Sequence, residues 1–138
     1  MNVTDIKVGD LVFINHLSHR LTPCYGKVLA ILNETDVKTT DGIVDVSILE
    51  PIRINPFLRL NGFTRLLGLK DKTYWRCEGT TPITTYSITL QHKGSDEEHY
   101  YVDIYTEGVC IDGLPCDSIH ILQHALNLVG IDKEITLV

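Results

Sequence analysis

Apolar and polar positions in the first third of the chain fall into short runs separated by turn residues. Three runs have the length and the β-branched content of strands, at residues 11–14, 25–32 and 43–46. The Asp41-Gly42 dipeptide before the last run favours a hairpin, because glycine adopts a positive φ without steric cost. Several short strands joined by tight turns leave few exposed edges only if their sheet curls, so the pattern predicts a small β-barrel.

The first strand is preceded by a turn, Val8-Gly9-Asp10, that leads directly into apolar residues. This opening resembles that of the SH3-like barrels of KOW type in transcription and translation proteins. The resemblance implies an SH3-like barrel subdomain over residues 1–54. It implies no activity, because one fold serves many functions.

The rest of the chain, residues 55–138, has the pattern of an α+β subdomain. Asn55 is suited to an N-cap, Pro56 to the first helical position and Gly62 to a left-handed stop, which together predict a short helix over residues 56–61. An antiparallel meander is expected to follow, with a strand beginning at Tyr74. We expect the two subdomains to share one core.

The meander is interrupted by charged and glycine-containing segments. Residues 70–72 and residues 93–98 are predicted to be turns, and Asp112-Gly113 is predicted to be a turn or bulge within a strand at 109–114. Between these segments, residues 83–92 alternate, with an apolar face formed by Tyr86, Ile88 and Leu90. Residues 99–106 place Tyr101, Asp103 and Tyr105 on one face and Tyr100, Val102 and Ile104 on the other. Because both faces carry tyrosine, one set is expected to be core and the other partly exposed.

The last helix has the clearest periodicity in the chain. It is predicted to begin at Asp117 or Ser118 and to end at Val129, where Gly130 stops it. Its apolar residues recur at i, i+3, i+4 and i+7, the spacing of a buried stripe. These residues are Leu122, Ala125, Leu126 and Val129, and Ile121 and Leu128 are expected to widen the buried stripe. Residues 135–138 are expected to form a terminal strand or a tail, and the fold class predicted for the whole chain is α+β.

Composition and charge narrow the class of protein. Apolar residues make up 43% of the 138 and charged residues 22%, which is typical of a globular protein with its own core. The formal charge of −6 disfavours nucleic acid as a partner. No apolar run reaches the roughly 18 residues of a membrane span, and no secretory leader pattern is present, so the cytoplasm is the expected location.

Cysteine and histidine are the residues that could carry chemistry. The four cysteines contain no Cys-x-x-Cys pair and are interpreted as small buried hydrophobic residues, with no metal predicted. A zinc site drawn from distant residues is the alternative. His16 and His19 lie near Cys24 in the sequence, where they could make a metal site or a Cys–His nucleophile.

A second histidine pair, His120 and His124, has the i, i+4 spacing of metal ligands on a helix. Ile121 stands where a zinc protease of the HExxH type has glutamate. The pair is therefore interpreted as a polar stripe of the helix, together with Asn127.

Aromatic residues are the candidate binding residues, because tyrosine and tryptophan offer contact area at little entropic cost. The alternative is a ladder of cross-strand pairs that stabilises a hairpin. The candidates are Tyr25, Trp75, Tyr86, Tyr101 and Tyr105.

An ordered set of short motifs spans nearly the whole chain. They include Gly9-Asp10-Leu11-Val12, Leu49-Glu50-Pro51-Ile52, Asn61-Gly62-Phe63 and the helix that begins with His120-Ile121-Leu122-Gln123. This set resembles a family of small uncharacterised proteins from Bacteroides-type bacteria and their phages. The family has Asn where this chain has His124. The resemblance implies a phage or prophage context and no mechanism.

These observations favour a non-enzymatic phage or prophage accessory protein that binds a host protein in the host cytoplasm and needs no cofactor. No phosphate-binding glycine loop is present, which disfavours nucleotide hydrolysis of the usual kinds. Two alternatives stay open. One is a homo-oligomer that binds a small molecule, such as a nucleotide signal, between protomers, and the other is a Cys/His hydrolase that uses Cys24.

Overall fold

The computed structural model describes residues 1–16, 24–68, 73–82, 84–93 and 96–137, with the side chains of 93 and 96–98 left aside. The chain folds into two compact units, Met1–Ile52 and Arg53–Val138. Each unit has one five-stranded antiparallel sheet. Within the part of the chain that is described, no helix combines the length and the apolar content needed to span a membrane.

The sheet of the first unit has the strand order β4-β3-β2-β1-β5. Short 3-10 turns at Val3–Asp5 and Val46–Ile48 precede β1 and β5. The predicted strands are confirmed, although no ladder between described residues closes the sheet into a barrel. The strands are β1 (Leu11–Ile14), β2 (Tyr25–Ile31), β3 (Asp36–Thr39), β4 (Gly42–Asp45) and β5 (Leu49–Glu50).

Alternate residues of these strands build the core of the first unit, because successive side chains point to opposite faces of a sheet. Cys24 is partly buried and packs against this core. The hairpin between β3 and β4 is a two-residue loop, Thr40-Asp41, with Gly42 at φ +108° as the first residue of β4. The core residues are Ile6, Val12, Ile14, Val28, Val37, Val44, Val46 and Leu49.

The second unit combines its sheet with one α-helix, so the α+β fold class is confirmed. The sheet has the order β10-β9-β8-β7-β6. Helix α1 (Ile119–Leu128) follows the last strand and buries three residues of the predicted apolar stripe, Leu122, Ala125 and Leu126. Val129 is the C-cap and is half-buried, and Leu128 is exposed, so the prediction is wrong for these two. The strands are β6 (Thr64–Leu67), β7 (Thr73–Thr80), β8 (Thr85–Lys93), β9 (Asp96–Thr106) and β10 (Cys110–Pro115).

Two faces of the second sheet differ in burial, as the alternation predicts. On the inner face, Ile88, Leu90, Val102 and Ile104 are fully buried and Tyr100 is nearly so. Together with the buried side of α1, they supply the core of this unit. The outer face carries mostly polar side chains and tyrosines.

The segment before β6 forms two 3-10 turns, Asn55–Phe57 and Arg59–Asn61, in place of one regular helix. Asn55 lies inside the first turn and Ile54 precedes it without a side-chain cap, so the predicted N-cap is wrong. The predicted stop is confirmed. Gly62 has φ +84°, and the amide of Phe63 donates to the Leu58 carbonyl over 3.0 Å.

Asn61 ties this segment to the end of the chain. Its side-chain nitrogen donates to the carbonyls of Phe57 and Thr136 over 2.8 Å each, and its oxygen accepts from the Thr136 amide over 2.7 Å. The side chain is only 6% exposed. Residues 131–137 form no strand, so the end of the chain is a tail held by these hydrogen bonds.

Two turn predictions have different outcomes. The charged turn predicted over residues 93–98 is too long, because β8 extends to Lys93 and β9 begins at Asp96, with these two residues paired across the ladder. Residues 94 and 95, between the strands, lie outside the described residues. Strand pairing overrides the local preference of charged residues for turns. The turn predicted at residues 70–72 and the predicted strand start at Ile83 lie outside the described residues.

Candidate functional site

The outer face of the second sheet brings polar side chains and tyrosines into register on neighbouring strands. Ser87 on β8 is paired with Glu78 on β7 and with Tyr105 on β9. Gln91 is paired with Tyr74 and Tyr101 in the same way. Because residues two apart on a strand share a face, these rows form one continuous surface.

Two of the predicted binding residues, Tyr101 and Tyr105, project from this face. They are 40% and 47% exposed and lie at i and i+4 on β9, with Asp103 between them. Exposed tyrosines provide amphipathic contact area with few rotatable bonds. The outer face therefore has the residue types of a binding surface.

Asp103 is held in the sheet between the two tyrosines. Its Oδ1 accepts from the Gly113 amide over 2.7 Å, and its Oδ2 accepts from Gln91 Nε2 over 3.2 Å. The predicted bulge at Asp112-Gly113 is confirmed and positions that amide, since the β9–β10 register shifts there and Gly113 has φ +68°. Burial raises the pKa of the Asp103 carboxyl, and neighbouring Asp112 raises this pKa further.

The same carboxyl groups affect Tyr105. The negative charges of Asp112 and then Asp103 raise the pKa of the Tyr105 phenol, because they disfavour a phenolate. Glu78 is also exposed here and pairs with Arg76. The outer face is acidic around its tyrosines, which suits a partner carrying Lys or Arg side chains.

A shallow, open groove lies at one end of this sheet. It has a volume of about 640 Å³ and is lined by residues 78–80 of β7, 85–87 of β8 and 105–107 at the end of β9. Tyr105 is the aromatic outer-face residue among them. Glu78 and Glu107 place carboxylates at the groove, so its electrostatics favour neutral or cationic ligands over phosphates.

Tyr86 lines the groove and belongs to the inner-face register. It is paired with Gly79, and a Cβ added to Gly79 would lie 2.3 Å from the Tyr86 hydroxyl oxygen. The phenol thus covers the glycine backbone, and partial burial raises its pKa. For Tyr86 the contact favours the alternative to ligand binding, which was a cross-strand pair that stabilises the hairpin.

The other two predicted binding residues do not belong to the outer face. Trp75 is half-buried on the inner face, with the Arg59 guanidinium carbon 5.3 Å from its ring centroid. Tyr25 is on β2 in the first unit, 37% exposed, and makes an edge-to-face contact with Phe13 at 5.9 Å between centroids. The structure therefore brings together Tyr101 and Tyr105 among the five candidates.

Sequence reasoning missed Tyr74, which belongs to the outer face through its pairing with Gln91. Tyr74, Arg76 and Glu78 follow one another at every second position. This alternation would have placed Tyr74 on the polar face if β7 had been recognised as a strand.

A separate cluster in the first unit unites His16, Cys24 and Asp41. One ligand atom from each side chain lies within 4.8 Å of both others. His16 Nε2 and Asp41 Oδ2 are 2.7 Å apart. Sequence reasoning paired Cys24 with His16 and missed Asp41, because only the β3–β4 hairpin brings it near. His19 lies outside the described residues.

The pair on α1 differs from its interpretation. His120 is buried, and its Nδ1 lies 3.0 Å from the Ser118 hydroxyl, so it is not part of a solvated stripe. The rings of His120 and His124 meet edge to face at 5.5 Å. Among the described residues, no third Cys, His, Asp or Glu completes a three-ligand group with them.

Cysteine burial was predicted correctly for two of the four residues. Cys77 and Cys116 are buried, and burial raises the pKa of Cys116 to about 12. Cys110 is exposed and Cys24 only half-buried, so the interpretation is wrong for these two. No disulfide joins any of them.

Comparison of the chain with protein-family models, with curated proteins and with solved structures finds no match.

Proposed function

We propose that this protein is a non-enzymatic interaction module, a phage or prophage accessory factor that binds a host protein in the host cytoplasm. The proposal rests on the two exposed tyrosines of the outer face, Tyr101 and Tyr105. They flank the Asp103 carboxyl, which is fixed by a hydrogen bond from the Gly113 amide. The acidic surroundings favour a host surface rich in Lys and Arg, which could also stack on the phenol rings.

The first unit fits this proposal as a scaffold. Its strand order β4-β3-β2-β1-β5 and the 3-10 turn directly before β5 support an SH3-like assignment for this unit. Small barrels of this kind serve many functions, so the assignment bears on the architecture and leaves the binding role to the outer face.

A capture experiment tests the proposed function. The full chain, a Tyr101→Ala/Tyr105→Ala variant and a Tyr25→Ala control are immobilised and exposed to lysate of a Bacteroides-type host, and bound proteins are quantified by mass spectrometry. Tyr25 is a suitable control because its exposure is similar and it lies in the other unit. Melting temperatures verify that the variants fold.

We expect the wild type and the control to retain the same host protein, with retention lowered about 10- to 100-fold in the double variant. This range assumes that each tyrosine is worth on the order of 1 kcal/mol at an interface. Added salt should weaken capture, since it screens charge pairs. Equal capture by the double variant, or no specific capture by the wild type, would contradict the proposal.

Small-molecule binding is the second candidate, and the groove beside Tyr105 is the observation that favours it. Its carboxylates argue against a nucleotide, the ligand first considered for this class. A thermal-shift series with nucleotides and with cationic or neutral aromatic compounds tests it, because a ligand well above its Kd must raise the melting temperature. No shift with any of them would remove this candidate.

A further inference from the structure

We propose that His16, Cys24 and Asp41 form a zinc site in the first unit. The three side chains supply a ring nitrogen, a thiol sulfur and a carboxylate oxygen, each within 4.8 Å of the others. These are the donor types that zinc binds in proteins. The proposal is independent of the outer face, which belongs to the second unit.

Backbone hydrogen bonds fix the positions from which the three ligands extend. The amide of His16 donates to the Ile14 carbonyl over 3.1 Å. The amide of Ile14 donates to the Cys24 carbonyl over 2.8 Å, which joins the end of β1 to the start of β2. The Thr40 amide donates to the Lys27 carbonyl over 3.0 Å, which holds the β3–β4 hairpin beside β2. Asp41 is fixed within that hairpin, because its amide donates to Thr39 Oγ1 over 3.1 Å.

The ligand atoms are near enough to one another to reach the spacing of tetrahedral zinc through movement of the side chains. Zinc–nitrogen and zinc–oxygen bonds near 2.1 Å and a zinc–sulfur bond near 2.3 Å put ligand atoms about 3.3–3.6 Å apart. The 2.7 Å between His16 Nε2 and Asp41 Oδ2 is a hydrogen-bond distance. Zinc would replace the shared proton and move these two atoms about 0.7 Å further apart, a shift that side-chain rotation can supply.

The three ligand atoms form a triangle, and this geometry distinguishes a metal site from a catalytic relay of the same three side chains. In a nucleophile–histidine–carboxylate relay, the thiol and the carboxylate bond to opposite nitrogens of the ring. Two hydrogen bonds of about 3 Å plus the width of the ring then hold the sulfur and that oxygen more than about 6 Å apart. Here a Cys24 sulfur to Asp41 oxygen distance is within 4.8 Å, so all three groups face a common point.

Zinc fits this donor set better than the other common divalent ions. A thiolate ligand disfavours magnesium and calcium, which prefer oxygen, whereas imidazole and carboxylate are both usual zinc ligands. Three protein ligands leave a fourth position for water or an external group. That position is reachable, because the side chains of His16 and Asp41 are 24% and 31% exposed.

Metal titration of the full chain tests the proposal. Chelator-treated protein in a phosphine reductant is titrated with Co²⁺ while the thiolate-to-cobalt charge-transfer band is recorded, and Zn²⁺ affinity and stoichiometry are measured by calorimetry. Variants are Cys24→Ser, His16→Gln and Asp41→Asn. Cys110→Ser is the matched control, because it removes an exposed cysteine from the second unit.

We expect one metal per chain in the wild type and the control, and loss of the charge-transfer band in Cys24→Ser. Each ligand variant should weaken zinc binding by more than about 100-fold, since losing even an outer partner of a metal ligand costs 10–100-fold. Circular dichroism of the metal-free variants verifies folding. If Cys24→Ser does not fold, the partly exposed His16→Gln decides the question.

Three results would overturn the proposal. The first is that the wild type shows neither a charge-transfer band with cobalt nor a heat of binding on addition of zinc. The second is wild-type affinity in a folded variant of any of the three ligands, Cys24→Ser, His16→Gln or Asp41→Asn. The third is loss of the band in Cys110→Ser, which would place the metal in the second unit.

Discussion

Replacing Asn61 by alanine tests how strongly the tail of the second unit is held. The substitution removes three hydrogen bonds, two donated to the carbonyls of Phe57 and Thr136 and one accepted from the Thr136 amide. The site is buried, so water does not readily replace the lost partners. The tail has no strand pairing to compensate, since residues 131–137 are outside the sheet.

The expected loss follows from those three bonds. Each intramolecular hydrogen bond contributes about 1 kcal/mol net, and a buried group left without its partner costs about 1–3 kcal/mol. We therefore expect the free energy of unfolding to fall by about 3 kcal/mol. That is a large share of the roughly 5–15 kcal/mol typical of a folded protein.

Urea denaturation followed by tryptophan fluorescence measures this loss directly. The chain has one tryptophan, Trp75, and it lies in the same unit as Asn61. Asn127→Ala is the control, because Asn127 is an exposed helix residue whose replacement should change stability by less than about 0.5 kcal/mol. A loss below about 1 kcal/mol in Asn61→Ala would show that the tail is not held through this side chain.

Three further outcomes follow from the structure. Gly62→Ala should lower the free energy of unfolding by about 1–2 kcal/mol, because alanine is strained at a φ of +84°. The added methyl itself fits, since the nearest atom, Cys77 Sγ, is 3.7 Å away. Unchanged stability in urea would show that the backbone at this position is not strained by alanine. Because the pKa of Asp103 is raised in the folded state, its contribution to the unfolding free energy is present below pH 3.8 and is lost as pH rises through the folded-state pKa. Asp103→Asn should remove this contribution, which is measured as the difference in pH slope between wild type and variant. An identical slope in the two proteins would contradict the raised pKa. Iodoacetamide at mildly alkaline pH should modify Cys110 and spare Cys116 in the native protein, because Cys110 is exposed while burial raises the pKa of Cys116 to about 12. Peptide mass spectrometry measures the two rates, and equal rates would contradict the burial of Cys116.

Periodic patterns made much of the fold predictable from the sequence. The period of two in residues 99–106 correctly separated buried Val102 and Ile104 from exposed Tyr101 and Tyr105. The helical period correctly located α1 to within about two residues at its ends. These signals succeed because burial against one core imposes the same period on sequence and structure.

Local preference failed where long-range pairing decides the structure. β9 begins at Asp96, in a charged run that is typical of turns, because it pairs with β8. β6 was not predicted from its own residues, and its strand conformation depends on pairing with β7. Tertiary context overrides propensity in such segments.

The candidate sites show the same limit. Asp41 joins His16 and Cys24 only through the β3–β4 hairpin, and no local spacing marks residues separated this far along the chain. Trp75 and Tyr86 share the residue types of the binding tyrosines and differ from them by strand face. The alternation of residues 83–92 already groups Tyr86 with Ile88 and Leu90, whereas the face of Trp75 requires the register of β7 with β8, which a single sequence does not specify.

The contact between Gly79 and Tyr86 has a consequence for the evolution of this protein. Any side chain at position 79 would occupy space now filled by the Tyr86 ring, since a Cβ there would lie 2.3 Å from its hydroxyl oxygen. A relative with a larger residue at 79 therefore needs either a smaller residue at 86 or a ring there that points elsewhere. The constraint runs in one direction, because glycine at 79 accepts a residue of any size at 86, so position 86 should be free to change first.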